Sequence, residues 1–108
     1  MEIFGHKKKL ETKEILEGVF GTYLGSGNNM NVMHWVFDDN VSLPAHHHEA
    51  EQFGYIIKGG FKVTIDGETR LLEAGDFYFV PSNAEHSFVS VGKTEAIDVF
   101  SPIRKFDF

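Results

Sequence analysis

The sequence predicts an all-β fold, a small antiparallel β-barrel or sandwich of about seven short strands. Apolar, β-branched and aromatic segments recur along the chain, turn residues separate them at intervals of roughly ten residues, and helical periodicity is absent beyond the N-terminal region. The 11 phenylalanines and 11 glycines are typical of apolar strands joined by tight turns. With 108 residues the chain has room for one hydrophobic core but not two, so we expect a single domain over residues 1–108.

The strands are located by their flanking turns. Residues 31–37 have apolar side chains at both alternating positions, which predicts a strand buried on both faces. The dipeptide Asp66-Gly67 suits the positive φ angles of a type I′ hairpin turn. The charged residues 1–17 allow at most a short amphipathic turn or an edge strand. The predicted strands are 31–37, 52–58, 61–65, a return strand through 70–72, then 77–80, 86–91 and 96–100.

Composition excludes several classes of partner and site. The net charge of −6 and the lack of a basic stripe argue against nucleic acid as a partner. The absence of cysteine rules out disulfides and thiolate metal sites and agrees with a cytoplasmic location. We expect no export signal, because glutamates after Lys7–Lys9 interrupt the apolar stretch that a signal peptide requires. The uncharged residues 18–37 contain four glycines and three asparagines, so we expect no membrane span.

Three consecutive histidines, His46, His47 and His48, lie in the middle of the chain. Because side chains alternate along a strand, His46 and His48 are expected on one face and His47 on the other, at the surface. Counting on by twos puts Gln52 on the face of His46 and His48 if no bulge intervenes, and the flanking glutamates on the opposite face. The pattern therefore favours an amide over the neighbouring acids as a further ligand. The alternative is a solvated histidine-rich loop.

His86 is the candidate third imidazole. It follows the Pro81 loop and opens a predicted strand, where a barrel could direct it toward the His46 and His48 pair. His6 and His34 have no such setting and are expected to be surface or packing residues.

A second informative segment lies near the C-terminus. Asp98 and Phe100 share a face of the predicted last strand. If that face lines the barrel opening, Asp98 is a candidate general acid or base, and otherwise it is a solvated strand-edge aspartate. Pro102 ends the strand, so that Arg104 could fold back and bind a substrate carboxylate through two hydrogen bonds, or remain a solvated surface arginine.

The histidine segments resemble the two motifs of the cupin superfamily. The first reads His46-x-His48-x3-Gln52-x6-Gly59, and the second reads Gly75-x5-Pro81-x-Asn83-x2-His86-x3-Ser90. The resemblance covers roughly residues 30–100. It implies a jelly roll, also called a double-stranded β-helix, with one divalent metal ion in its opening. It implies the ligands His46, His48, Gln52 and His86, and nickel, zinc, iron, manganese and cobalt all remain open.

Three positions depart from the usual cupin pattern. Gln52 replaces the usual glutamate, Asn83 replaces a glycine and Ser90 replaces an asparagine. Asn83 suits the left-handed backbone that glycine would adopt. Gln52 adds no negative charge, so the ion would keep its full 2+ charge and favour anionic ligands such as carboxylates or enolates. This favours acid–base or isomerase chemistry over a redox dioxygenase.

The terminal run Asp98-x-Phe100-Ser101-Pro102-x-Arg104, together with the histidine motif, resembles the small cupins of pectin degradation. The resemblance implies activity at Asp98, Phe100 and Arg104 and a small anionic sugar as substrate. It implies conversion of 4,5-unsaturated monouronates from pectin or alginate to linear keto sugars by a homodimeric enzyme. The alternatives are a dioxygenase, an aromatic polyketide cyclase and a non-catalytic sugar-binding cupin.

Overall fold

A computed structural model describes residues 3–106 and has eight β-strands joined by turns. Besides the strands, the described residues form one short 3-10 helix, Lys7–Lys9. No helix in this part of the chain has the length and apolar character needed to cross a bilayer. The predicted all-β fold is confirmed. The strands are β1 Thr12–Leu16, β2 Val19–Ser26, β3 Asn31–Phe37, β4 Ser42–His46, β5 Glu51–Ile65, β6 Glu68–Glu73, β7 Phe77–Val80 and β8 His86–Ser101.

The two longest strands, β5 and β8, pair with each other in antiparallel register along almost their whole length. The first half of β5 also pairs with β7 and the second half with β6. Strand β8 pairs with β4 through its first half and with β3 through its second half. Strands β2 and β1 extend the sheet beyond β3. The sheet thereby forms the two facing layers of a jelly roll.

The prediction of four separate strands within β5 and β8 was wrong. Gly59 and Gly92 have φ angles of +72° and +74°, and glycine adopts these without steric cost. The pairing register shifts around Gly59 and then resumes, so the predicted break at Gly59-Gly60 is a β-bulge. The Thr94 hydroxyl supports it by donating to the Gly60 carbonyl at 2.8 Å.

The core fills the space between the layers. The Phe37 ring on β3 contacts Phe61 on the second half of β5 at 4.9 Å between centroids, and Phe61 contacts Phe88 at 5.4 Å. Burying side chains of this size contributes about 1.5–3 kcal/mol each. The cluster comprises Val19, Phe37, Ile56, Phe61, Val63, Tyr78, Val80, Ala84, Phe88 and Ala96.

Several local expectations are confirmed, and two strands were not predicted. The strands 31–37 and 77–80 have the predicted bounds, and residues 31–37 include no exposed side chain. Asp66 and Gly67 have φ angles of 49° and 81°, as the hairpin requires, and Asn83 has a φ of 62°. The N-terminal segment provides an edge strand, β1. Strands β2 and β4 were missed, and residues 1, 2, 107 and 108 of the predicted domain lie outside the described residues.

Candidate metal centre and active site

The three predicted histidines converge. His46 is the last residue of β4 and pairs in register with His86, the first residue of β8. One ring nitrogen from each of His46, His48 and His86 lies within 4.8 Å of the other two. The prediction that His46 and His48 lie on the same strand was wrong: β4 ends at His46, and His48 lies in the loop 47–50 before β5. His47 is exposed, as predicted.

The backbone fixes the tautomer of each imidazole. A carbonyl oxygen only accepts hydrogen bonds, so a ring nitrogen facing one must carry the proton. Each Nε2 atom therefore presents a lone pair. His86 Nε2 is buried and lacks a hydrogen-bond partner among residues 3–106, so a cation would satisfy it. The Nδ1 donors and their acceptors are His46 and Pro44 O (3.0 Å), His48 and Ala50 O (2.7 Å), and His86 and Ala84 O (2.8 Å).

The imidazoles of His48 and His86 are held in the form that binds metals. Burial lowers the pKa of His86 to about 4. Burial, followed by the positive charge of Arg104, lowers the pKa of His48. Metal ions require neutral imidazole, so these rings are ready to bind a divalent ion at neutral pH. The described donor set fits such an ion.

Gln52 lies beside the histidines near the start of β5 and is only 4 % exposed. Its Oε1 atom lies 3.1 Å from His48 Nε2. The side-chain amide of Gln52 also hydrogen-bonds Asp98 and lowers its pKa, which indicates that the amide N–H faces the carboxylate. The amide oxygen then faces the His48 lone pair, and a cation would relieve the repulsion between these two acceptors.

Asp98 is buried on β8 with 5 % exposure, so it is not the solvated strand-edge residue of the alternative interpretation. Burial raises its pKa to about 6, and hydrogen bonds from Tyr78, Gln52 and Trp35 and the charge of Arg104 limit the rise. A carboxyl group with this pKa can both accept and return a proton near neutral pH.

Tyr78 and Gly54 were not predicted as part of the site. The Tyr78 hydroxyl donates to Asp98 Oδ1 at 2.7 Å. A Cβ at Gly54 would lie 2.3 Å from the Tyr78 oxygen and 2.4 Å from Asp98 Oδ1, so the contact requires glycine there. The sequence signals were the short aromatic run at residues 77–80 and an isolated strand glycine, but neither identifies a partner.

Arg104 and Phe100 close the other side of the site. The Arg104 guanidinium lies 5.2 Å from the Phe100 ring centroid and 4.7 Å from that of Phe106, within cation–π range. Phe100 is fully buried and contacts the His48 ring at 5.7 Å. The buried Asn31 holds the Arg104 backbone: Arg104 N donates to Asn31 Oδ1 at 3.0 Å, and Asn31 Nδ2 donates to Arg104 O at 2.6 Å.

One cavity of about 360 Å³ connects these groups. His46, Gln52, Asp98, Phe100 and Arg104 line it together with Tyr78. Apolar side chains of β1 to β4 and the rings of Phe61, Phe88 and Phe106 complete the wall. The structure thus brings the predicted site residues to one place, with His48 and His86 contacting His46. The arrangement combines a candidate metal site, a buried carboxyl group and a guanidinium in a largely apolar pocket.

A jelly roll with an HxH pair and a third histidine at one opening is typical of the cupin class. The family model described as "Cupin domain" matches residues 33–100, and the chain belongs to the cupin family. It is 33 % identical to the pectin degradation protein KdgF of Dickeya dadantii (strain 3937), over 75 % of this chain and 84 % of that protein.

Two solved structures are similar along almost the whole chain. An RmlC-like cupin from Shewanella frigidimarina is 31 % identical with a TM-score of 0.92, covering 97 % of this chain and 95 % of its own. KdgF from Halomonas sp. is 26 % identical with a TM-score of 0.91, covering 97 % of both chains.

Proposed function

We propose that this cupin binds one divalent metal ion through His46, His48, His86 and the Gln52 amide oxygen, and opens the ring of 4,5-unsaturated monouronates. The observation that carries the proposal is the convergence of three Nε2 lone pairs beside a buried carboxyl group and an arginine. Similarity to KdgF of Dickeya dadantii over most of both chains supports the substrate class.

The roles of the chain's own residues follow from their chemistry. The Arg104 guanidinium binds the sugar carboxylate, and Phe100 and the apolar wall exclude water. A divalent ion bound at the histidines supplies Lewis-acid stabilisation of negative charge on oxygen. With a pKa of about 6, Asp98 is largely ionised at neutral pH and accepts the proton of the anomeric hydroxyl.

Proton transfer to Asp98 leads to ring opening without any redox change. The C1 carbonyl forms as the bond from C1 to the ring oxygen breaks, and the electron pair of that bond leaves an enolate across C4, C5 and the former ring oxygen. Protonated Asp98 then delivers its proton to C4, which gives a ketone at C5 and a linear keto sugar. The proton lost from the hydroxyl is regained at carbon, so the reaction is an isomerisation.

Incubation of metal-loaded protein with unsaturated galacturonate tests the proposal. We expect loss of ultraviolet absorbance from the double bond and NMR signals of a linear keto sugar, with no oxygen consumed. Asp98→Asn should lower the rate by at least about a hundredfold, whereas the matched control Asp66→Asn in the hairpin turn should retain it. Oxygen consumption would instead identify a dioxygenase, and saturable binding without product a sugar-binding cupin.

We also infer that two copies associate through an exposed aromatic face on β5 and β7. Phe77 and Phe79 are 59 % and 65 % exposed, and Tyr55 is 43 % exposed. Their side chains and that of Phe53, which contacts Phe79 at 5.0 Å, carry no charge. An uncharged apolar face is complementary to itself in a symmetric dimer.

Sedimentation velocity tests this association. The wild-type protein should sediment as a dimer and Phe79→Asp as a monomer, because a charge on this face would be buried without a partner. Met30→Asp, which changes an exposed apolar residue in the turn between β2 and β3, should remain dimeric. A monomeric wild-type protein would refute the inference.

A further inference from the structure

Strand register brings Tyr78 to Asp98. Gly54 on β5 pairs with Tyr78 on β7 on one side and with Asp98 on β8 on the other. The two side chains therefore reach each other across Gly54, which has no side chain to separate them. Their hydrogen bond of 2.7 Å is buried.

The Tyr78 ring is a rigid anchor. Tyr78 is 6 % exposed and packs in the hydrophobic core, where its ring centroid lies 5.2 Å from that of Phe88. A phenol fixed by its ring has little freedom to follow a moving partner. Its hydroxyl therefore gives the carboxylate of Asp98 a hydrogen-bond donor in a fixed position.

We propose that Tyr78 is a positioning residue for Asp98: its hydroxyl, reaching across Gly54, holds the carboxylate in the orientation that exchanges a proton with the substrate. The inference rests on the proposed function, because it assigns Tyr78 a role in that reaction. In this role Tyr78 acts through Asp98.

Kinetics of single and double variants test the role. Tyr78→Phe should lower kcat about tenfold or more, the effect of one hydrogen bond to a charged group, and leave KM nearly unchanged. Once Asp98→Asn has removed the proton acceptor, adding Tyr78→Phe should cause no further loss. Thr69→Val, which removes a hydroxyl from an exposed threonine on β6, is the control and should keep the wild-type rate. Equal losses from Tyr78→Phe in both backgrounds would overturn the inference, as would a rise in KM alone.

A readout without substrate separates this inference from the proposed function. In crystal structures we expect a single Asp98 side-chain orientation in the wild-type protein and a rotated or multiple orientation in Tyr78→Phe. An unchanged Asp98 orientation in the variant would refute the positioning role. Should the wild-type protein convert no uronate, the proposed function fails and the Asp98 orientation alone decides the inference.

Discussion

At the scale of single residues, the three histidines form a candidate metal site because each ring donates its Nδ1 proton to a backbone carbonyl and leaves Nε2 free to bind a cation. Each Nδ1 donates to a carbonyl two residues away in sequence, a contact that the local chain supplies. The remaining lone pairs point to one place because His46 and His86 are register partners and the loop 47–50 returns His48 to them. Such second partners raise ligand basicity and fix ring orientation.

Replacing His86 should therefore remove metal binding. We expect His86→Ala to weaken the affinity for a divalent ion by far more than tenfold, because it deletes the buried Nε2, which has no hydrogen-bond partner within residues 3–106. Competition with a chelator and element analysis measure the affinity and stoichiometry. The neighbouring exposed residue provides the control: His47→Ala should bind metal like the wild type. Full binding by His86→Ala would exclude this residue as a ligand.

At the scale of strands, the site depends on how β5, β7 and β8 are aligned. Gly54 occupies the central position between Tyr78 and Asp98. A register shift of one residue on any of these strands would send its side chains to the opposite face. Ser90 fixes another part of β8. Its Oγ donates to Asp38 O at 2.5 Å and accepts from Val41 N at 2.8 Å, and these hydrogen bonds link the β3–β4 connection to β8.

Filling the Gly54 position should destabilise the protein and impair the site together. In Gly54→Ala the new methyl group would lie 2.0 Å from Tyr78 Cζ, so Tyr78 or the strand must move. We expect a loss of about 1–3 kcal/mol in the free energy of unfolding, measured by urea denaturation, and a fall in kcat. The control is Gly27→Ala, where the Cβ has only an ordinary contact of 3.8 Å with Met30. Wild-type stability in Gly54→Ala would show that Tyr78 and the strand accommodate the methyl group without cost.

At the scale of the whole molecule, burial of the site makes stability depend on pH in two opposite ways. The folded-state pKa of Asp98 is raised to about 6 from its ordinary 3.8, so its stabilising contribution is complete below the ordinary pKa and is lost as pH rises through 6. The folded-state pKa of His86 is lowered to about 4 from 6.5, so its contribution is present above 6.5 and is lost as pH falls toward 4. As pH rises from about 4 to about 6, the loss of the Asp98 contribution and the gain of the His86 contribution offset each other.

Removing the Asp98 charge should change how the stability of the protein depends on pH. In metal-free protein, Asp98→Asn should gain stability relative to wild type between about pH 4 and pH 8, by up to about 3 kcal/mol, because the buried charge no longer forms. Urea unfolding at both pH values measures the difference. Glu85→Gln, at an exposed acid, should show much less change. A pH-independent effect of Asp98→Asn would mean that the carboxyl group has an ordinary pKa.

Much of this protein follows from local sequence. The strands 31–37 and 77–80 and the Asp66-Gly67 turn depend on neighbours in the chain, and their predictions are confirmed in the strand bounds and the φ angles. The meeting of His46, His48 and His86 was predicted from motif spacing, and the pairing of β4 with β8 brings it about. Gln52 and Arg104 could be named from motif spacing, and their roles remain proposals.

Other features were decided only by tertiary structure. Whether Asp98 is buried, which hydroxyl meets it and why position 54 must be glycine depend on pairings between strands far apart in sequence. The continuity of β5 and β8 through their glycines likewise depends on a partner strand that no local pattern identifies. Local residue patterns set backbone preference and the side-chain chemistry of the site. Desolvation and cross-strand contact, which control proton affinity and orientation, exist only once the sheet has folded over itself.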